Sequence, residues 1–205
     1  MPTPIYHITH IENLDRILSR GGLVCNAARP NYVNIANAGI QGRRAAKVVP
    51  CGPGGVLHDY VPFYFGPRSP MLYAIHCNVV EGYSRGQDPI IHLVSSVKGV
   101  IDSGQRFVFS DGHAAMEMSA FYTHWSNHRT EIDWALMTAT YWNDTLEYPD
   151  RKRRRQAEFL VHRRLPIELV YEIGVRTQAN AVAVRRVLAA HDREITVVVR
   201  PNWYY

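Results

Sequence analysis

Eight short apolar runs, set apart by glycine, proline and polar turn clusters, constrain this chain more than any other feature. Residues 5–9, 61–65, 71–78, 90–94, 107–109, 157–162, 169–175 and 195–199 all have strand length and strand composition. Helical spacing is less common. Ile11, Leu14, Ile17 and Leu18 make one apolar stripe, stopped by Gly21-Gly22. Residues 40–49 predict a short helix carrying Arg43 and Arg44, and 95–102 predict one or two turns closed by Gly104. Residues 114–143 lean helical and are rich in aromatics. Asn180 is placed to cap a helix through Leu188, with Val184, Val187 and Leu188 on one face. Residues 26–37 read as a Pro/Asn-rich loop, 50–55 as a turn, and Ser110-Asp111-Gly112 as another turn. Strands outnumber helices and do not alternate with them in βαβ units. That predicts an α+β fold rather than a doubly wound parallel sheet.

A length of 205 residues fits one domain, spanning 1–205, and is ample for a core. With 46% hydrophobic and 20% charged residues, wholesale disorder is excluded. No apolar run approaches the roughly 18 residues that a membrane span needs, so no membrane partner is expected. The opening Met1-Pro2-Thr3-Pro4-Ile5-Tyr6-His7 has neither a basic nor an apolar leader region. Cys25, Cys51 and Cys77 are odd in number and far apart, which points to reduced thiols in a cytoplasm.

The charge is localised. Lys and Arg number 23 against 18 Asp and Glu, and Arg151, Lys152, Arg153, Arg154 and Arg155 are consecutive. Without that run the balance is zero. A cationic excess speaks to partners rather than fold, so an anionic partner is expected near residue 153.

Several chemistries are excluded by pattern. His7 and His10 are three apart and His124 and His128 four apart, but no CxxC or HExxH is present, and zinc needs three or four ligands. No metal is expected. There is no Walker A loop, no GxGxxG and no GxSxG elbow. The strongest constellation is Arg153-Arg154-Arg155-Gln156-Ala157-Glu158-Phe159-Leu160-Val161. A lone carboxylate in an apolar strand is costly to bury unpaired. Glu158 is therefore either the edge partner of an arginine or a catalytic group. Gly39-Ile40-Gln41-Gly42-Arg43-Arg44 is a second constellation, and also fits a solvated helix face. Residues 63–73, with Tyr64, Arg68 and Met71, are too aromatic for an ordinary loop, and also fit a packed hairpin.

These blocks, in order, resemble the DarT family of DNA-modifying ADP-ribosyltransferase toxins. The resemblance rests on Ile5-Tyr6-His7-Ile8-Thr9-His10-Ile11-Glu12-Asn13-Leu14 with Gly21-Gly22-Leu23, then 40–44, 63–73, Phe107-Val108-Phe109-Ser110-Asp111-Gly112-His113 and 155–161. It spans essentially the whole chain.

The resemblance implies a compact fold of two small packed β-sheets around an NAD cleft, with flanking helices. It implies NAD⁺ as co-substrate and ADP-ribose transfer to N3 of thymidine in single-stranded DNA, with release of nicotinamide. It further implies a bacterial cytoplasmic toxin, opposed by a macrodomain antitoxin that removes the modification. Glu158 then acts as the catalytic carboxylate near the oxocarbenium charge that develops on the ribose. Arg44, with Arg43 second, stabilises the thymine anion and holds an NAD phosphate. His7, Thr9 and Asn13 bind NAD. Tyr64, Arg68, Met71 and His113 hold the target base, and Arg153, Arg154 and Arg155 hold DNA phosphates in a basic acceptor loop. A target base must be reached unpaired or flipped, consistent with single strands. An RNA or protein acceptor on the same fold, or a non-catalytic nucleic-acid-binding module, would be distinguished by acceptor competition and by salt-sensitive binding without nicotinamide release.

Overall fold

The computed structural model describes residues 2–28 and 31–205. The expected loop at 26–37 includes Arg29 and Pro30, which lie outside the described residues. Ten strands form among the described residues: β1 (Pro4–His10), β2 (Gly22–Val24), β3 (Tyr60–Tyr64), β4 (Ile90–Ser96), β5 (Phe107–His113), β6 (Phe121–Tyr122), β7 (Ala157–His162), β8 (Arg164–Pro166), β9 (Glu172–Val175) and β10 (Thr196–Val199). The helices are α1 (Leu14–Ser19), α2 (Ala38–Ala46), α3 (Pro70–His76), α4 (Val97–Asp102), α5 (His128–Glu131), α6 (Trp134–Thr138), α7 (Arg151–Arg154) and α8 (Gln178–Ala190). No described helix is long and apolar enough to cross a membrane.

The α+β class holds. Eight strands are hydrogen-bonded in the order β10-β9-β4-β1-β3-β7-β5-β6, and β2 pairs with β8 separately. The large sheet is mixed, because β9 and β10 are parallel while its other pairings are antiparallel. Its continuity depends on a narrow seam. Strands β1 and β3 share one registered pair, Tyr6 with Tyr64. In contrast, β1 and β4 share seven pairs and β3 and β7 five. Two four-stranded halves therefore meet at Tyr6 and Tyr64. Ile5, Leu93 and Ile173 from one half and Phe63, Phe109 and Phe159 from the other share a single buried core. Packing the halves across this core removes their apolar faces from water.

Several elements differ from those the sequence predicts. Residues 71–78 do not form a strand. Ser69 Oγ accepts from Leu72 N at 3.2 Å, Pro70 occupies the first turn, and Leu72 and Ile75 are buried one turn apart, so α3 forms instead. Residues 114–143 break into β6, α5, α6 and a 3₁₀ turn, rather than a continuous helix. The turn expected at residues 110–112 is a bulge inside β5, where the register shifts between Phe109 and His113. The last long helix is capped by Thr177, whose Oγ1 accepts from Asn180 N, so Asn180 lies inside it.

Candidate active site

The site is built on β7. Its residues alternate across the pleat: Phe159 and Val161 enter the main core, and Glu158 leaves on the other face. Tyr64 of β3 is the registered partner of Glu158, so both side chains leave the same face beside the seam. Glu158 is 3% exposed. A carboxylate buried that deeply needs charge and hydrogen-bond partners, and it has both. Arg44 Nη1 donates to Oε1 at 3.0 Å and to Oε2 at 2.9 Å. Ala114 N donates to Oε1 at 3.0 Å. Ser110 Oγ accepts from the Glu158 backbone N at 3.3 Å and donates to Gly112 O at 2.6 Å, which fixes the bulge that presents Ala114.

Arg44 comes from α2, which starts at Asn37, where Oδ1 accepts from Ile40 N at 3.2 Å. The helix separates its two arginines. Arg44 points inward and is 8% exposed, whereas Arg43 is exposed and lines a cavity of about 420 Å³ with Ala46, Lys47, Ala115 and Glu117. Arg44 Nη2 is buried without a hydrogen-bond partner. An unmet guanidinium donor is expensive to bury, and this one has room for one further acceptor.

His113 ends β5, with Nδ1 3.8 Å from Glu158 Oε1. The same nitrogen accepts from Ala115 N at 3.2 Å. Burial lowers the His113 pKa, and Arg44 and Arg43 add to this against the opposing pull of Glu158. Burial raises the Tyr64 phenol above its ordinary range, and the Glu158 carboxylate adds to it against Arg44. Tyr64 Oη donates to Met71 Sδ at 3.8 Å, which brings α3 to the site. Glu158, Arg44, Tyr64, His113 and Met71 are thus connected.

The β1 residues are arranged differently. His7 alternates with Tyr6, so it stands at the seam on the opposite side of the pleat from Tyr64. Its ring lies 5.6 Å from Phe63, and its Nδ1 meets Pro62 O at 2.8 Å, so Nδ1 carries the proton and Nε2 is the acceptor. Burial lowers its pKa. The polar atoms of Asn13 are used within the chain: Nδ2 donates to Thr9 Oγ1 and to Val33 O, each at 3.0 Å, and Oδ1 accepts from Val33 N at 2.8 Å. Asn13 therefore pins the residue-33 segment to β1.

The basic run does not form a free cationic cluster. Arg153 is turned inward, paired with Asp111 at 3.0 Å and Asp150 at 2.6 Å, and also donates to Ser119 Oγ. Gly112 leaves room for it, since a Cβ there would lie 2.4 Å from Arg153 Nη1. Arg155 is 5% exposed and donates to the carbonyls of Leu136, Met137 and Arg68. Arg153 and Arg155, both expected to hold DNA phosphates, are engaged here by acceptors within the chain. Arg154 is partly exposed and 3.9 Å from Asp133. Lys152 is exposed. Arg68 stacks over the Tyr205 ring at 4.3 Å. Sequence reasoning missed Ala114 and Ser110, because a backbone donor has no side-chain signature and the bulge resembled a turn. Among the described residues, no group of three or more His, Cys, Asp or Glu could hold a metal ion.

Comparison with known proteins places this geometry. A family model described as the ssDNA thymidine ADP-ribosyltransferase DarT matches residues 6–205. A DNA ADP-ribosyl transferase of Thermus sp. strain 2.9 is 46% identical over 207 residues, covering 100% of this chain and 97% of its own. The solved structure of Thermus sp. 2.9 DarT in complex with ADP-ribosylated ssDNA superposes with TM-score 0.95 at 45% identity, over 100% of this chain and 97% of that one. Its complex with NAD⁺ gives TM-score 0.89 at 42% identity, over 100% and 98%. A Thermosipho africanus DNA ADP-ribosyl transferase–DNA ADP-ribosyl glycohydrolase fusion protein is 24% identical, over 98% of this chain and 49% of its own. The chain belongs to the DarT family of ssDNA thymidine ADP-ribosyltransferases.

Proposed function

We propose that the chain, as one catalytic domain over residues 1–205, transfers ADP-ribose from NAD⁺ to N3 of thymidine in single-stranded DNA, with Glu158 and Arg44 as the catalytic pair. The observation that carries this reading is the buried Arg44–Glu158 ion pair with one guanidinium nitrogen left without an acceptor. The complexes of the Thermus relative with NAD⁺ and with ADP-ribosylated ssDNA support both substrates.

In the reaction the bond from ribose C1′ to the nicotinamide nitrogen breaks, and its electron pair leaves with nicotinamide. Thymine N3 forms the new bond to C1′ and loses one proton, which passes to solvent. Positive charge develops on the ribose. Glu158, held rigid by Arg44 and Ala114 N, stabilises that charge without reorganising. Arg44 Nη2 donates either to the thymine anion or to an NAD phosphate. Tyr64, Met71 and His113 border the acceptor side. His7, through Nε2, and Arg43 contact NAD, while Thr9 and Asn13 hold the residue-33 segment that closes over it. Arg68 and Arg154 remain as DNA contacts.

The reading extends to physiology as a bacterial cytoplasmic toxin whose product is removed by a macrodomain antitoxin. The glycohydrolase half of the Thermosipho fusion supports a reversing partner. The test is direct. Purified protein with NAD⁺ and a thymidine-containing oligonucleotide is expected to shift the oligonucleotide mass by one ADP-ribose and release nicotinamide. No shift across varied sequence contexts would sink the proposal.

A further inference from the structure

An aromatic surface lies on the outer side of α3, and the catalytic residues do not account for it. Tyr73 is 42% exposed. Its ring packs edge-on against the half-buried Tyr205 at 5.0 Å and, beneath the surface, against the buried Trp142 at 5.6 Å. His76, also exposed, lies 6.0 Å from Tyr205 with ring planes 30° apart. The Arg68 guanidinium caps the Tyr205 ring, and Arg68 Nε is without a hydrogen-bond partner. Single exposed aromatics are ordinary, but a contiguous cluster of rings under a cation marks a binding surface.

This surface is tied together by hydrogen bonds and continuous with the site. Tyr205 Oη donates to Arg68 O at 3.1 Å, and Gln87 holds the Tyr205 backbone on both sides. Met71 lies between Arg68 and Tyr73 in the chain and meets Tyr64, the strand partner of Glu158. On the far side, Trp142 follows Tyr141, which is 82% exposed, and Arg151 Nη2 donates to Tyr141 O at 2.7 Å. The outward part of the basic run therefore borders the rings.

We propose that this surface is the track for nucleotides flanking the target thymidine: a base stacks on the exposed Tyr73 ring, which Tyr205 supports, and the phosphates pass Arg68 toward Arg151 and Lys152. This rests on the reading of the site as a single-stranded DNA modification centre. Single strands expose base faces that duplexes hide, and pre-ordered rings beside cations meet them with no preference for sequence. A strand threading past Glu158 must continue in both directions, and this surface leads away from Tyr64 on one of them.

The test uses the full chain, Tyr73→Ala and Tyr73→Phe, with thymidine oligonucleotides of about five and about twenty nucleotides at saturating NAD⁺. For the longer strand, Tyr73→Ala is expected to raise KM about tenfold, leaving kcat and DNA-free NAD⁺ hydrolysis within about twofold. The short strand, which covers only the start of the track, is expected to change less, and Tyr73→Phe to restore the wild-type KM. An unchanged KM for the longer strand, or an equal loss on both strands with lowered Tm, would overturn the track. Fluorescence anisotropy with the unmodified longer strand separates this from the parent reading. Weaker binding by Tyr73→Ala supports the track even if no thymidine is modified, and unchanged binding overturns it. A wild-type dimer in sedimentation, lost in Tyr73→Ala with DNA affinity intact, would assign the surface to a second copy of the chain.

Discussion

Arg44 grips Glu158 through a single nitrogen: Nη1 donates to both carboxylate oxygens, while Nη2 is buried with no acceptor. A structural ion pair gains most from a side-by-side contact using two guanidinium nitrogens. Here the second donor is held in reserve, at a cost in stability that a ligand can offset. Glu158→Gln keeps the shape and is expected to lower thymidine transfer by about 10²–10³-fold with a modest change in Tm. Glu158→Ala also strands a buried guanidinium, which costs about 3–5 kcal/mol when one partner of a buried pair is removed. Oligonucleotide mass shifts and thermal melts check both. Full transfer by Glu158→Gln would remove the catalytic assignment.

The basic run divides into structural and exposed members, and the two should respond differently. Arg155→Ala removes the side-chain donor to Met137 O and one of the two donors to each of Leu136 O and Arg68 O. A loss of about 3 kcal/mol is expected in denaturant melts, since buried acceptors lose a charged donor. Lys152→Ala, at an exposed position, is expected to leave the melt unchanged and to reduce the salt slope of DNA binding by about one. A stable Arg155→Ala with a reduced salt slope would restore that residue to the DNA interface.

The difference between these residues shows where the sequence stopped being informative. Composition counts Arg153 and Arg155 as free cations. Only the fold brings Asp111 from 42 residues away onto Arg153 and the α6 carbonyls onto Arg155. The strand carrying Glu158 was legible, because an apolar run of strand length holding one carboxylate is a local signal, and its bounds match the expected 157–162. Residues 71–78 were not, because apolar side chains there suit either period and the decision lies in the Ser69-Pro70 cap. Which of Arg43 and Arg44 turns inward is likewise set by the packing of α2 and not by the local sequence. The seam at Tyr6 and Tyr64 is a matter of register, which no single strand encodes.

Acid should unfold this protein through buried histidines. His92 is fully buried, with Nε2 on Pro67 O at 3.0 Å and Nδ1 3.3 Å from Tyr204 Oη. Burial pushes its pKa down to about 4 from 6.5. Above pH 6.5 the ring is neutral both folded and unfolded, so the full stability is present. As pH falls from 6.5 to 4, the unfolded chain binds a proton that the folded chain refuses. His92 alone then accounts for a loss of about 3 kcal/mol. His7 and His113, also shifted down, act in the same direction. Stability measured by urea titration between pH 7 and 4 checks this, with His92→Gln expected to flatten the profile. An equally steep profile in that variant would place the effect elsewhere.

Asn13 offers a test of how the NAD side is assembled. Its amide joins Thr9 on β1 to both backbone groups of Val33, so it positions a segment rather than offering a free donor. Asn13→Ala would leave Val33 N and O without these partners and the Thr9 hydroxyl without its donor. Three lost bonds at a site 2% exposed predict a destabilisation of about 2–3 kcal/mol. If the residue-33 segment closes over NAD⁺, its loosening raises the KM for NAD⁺ several-fold, while kcat at saturating NAD⁺ falls little. Asn13→Asp discriminates further. The carboxylate still accepts from Val33 N but cannot donate to Val33 O or Thr9 Oγ1, so it should resemble Asn13→Ala in KM while recovering part of the stability. A normal KM for NAD⁺ in both variants, with only the melt affected, would show that the segment supports the fold and takes no part in holding the substrate.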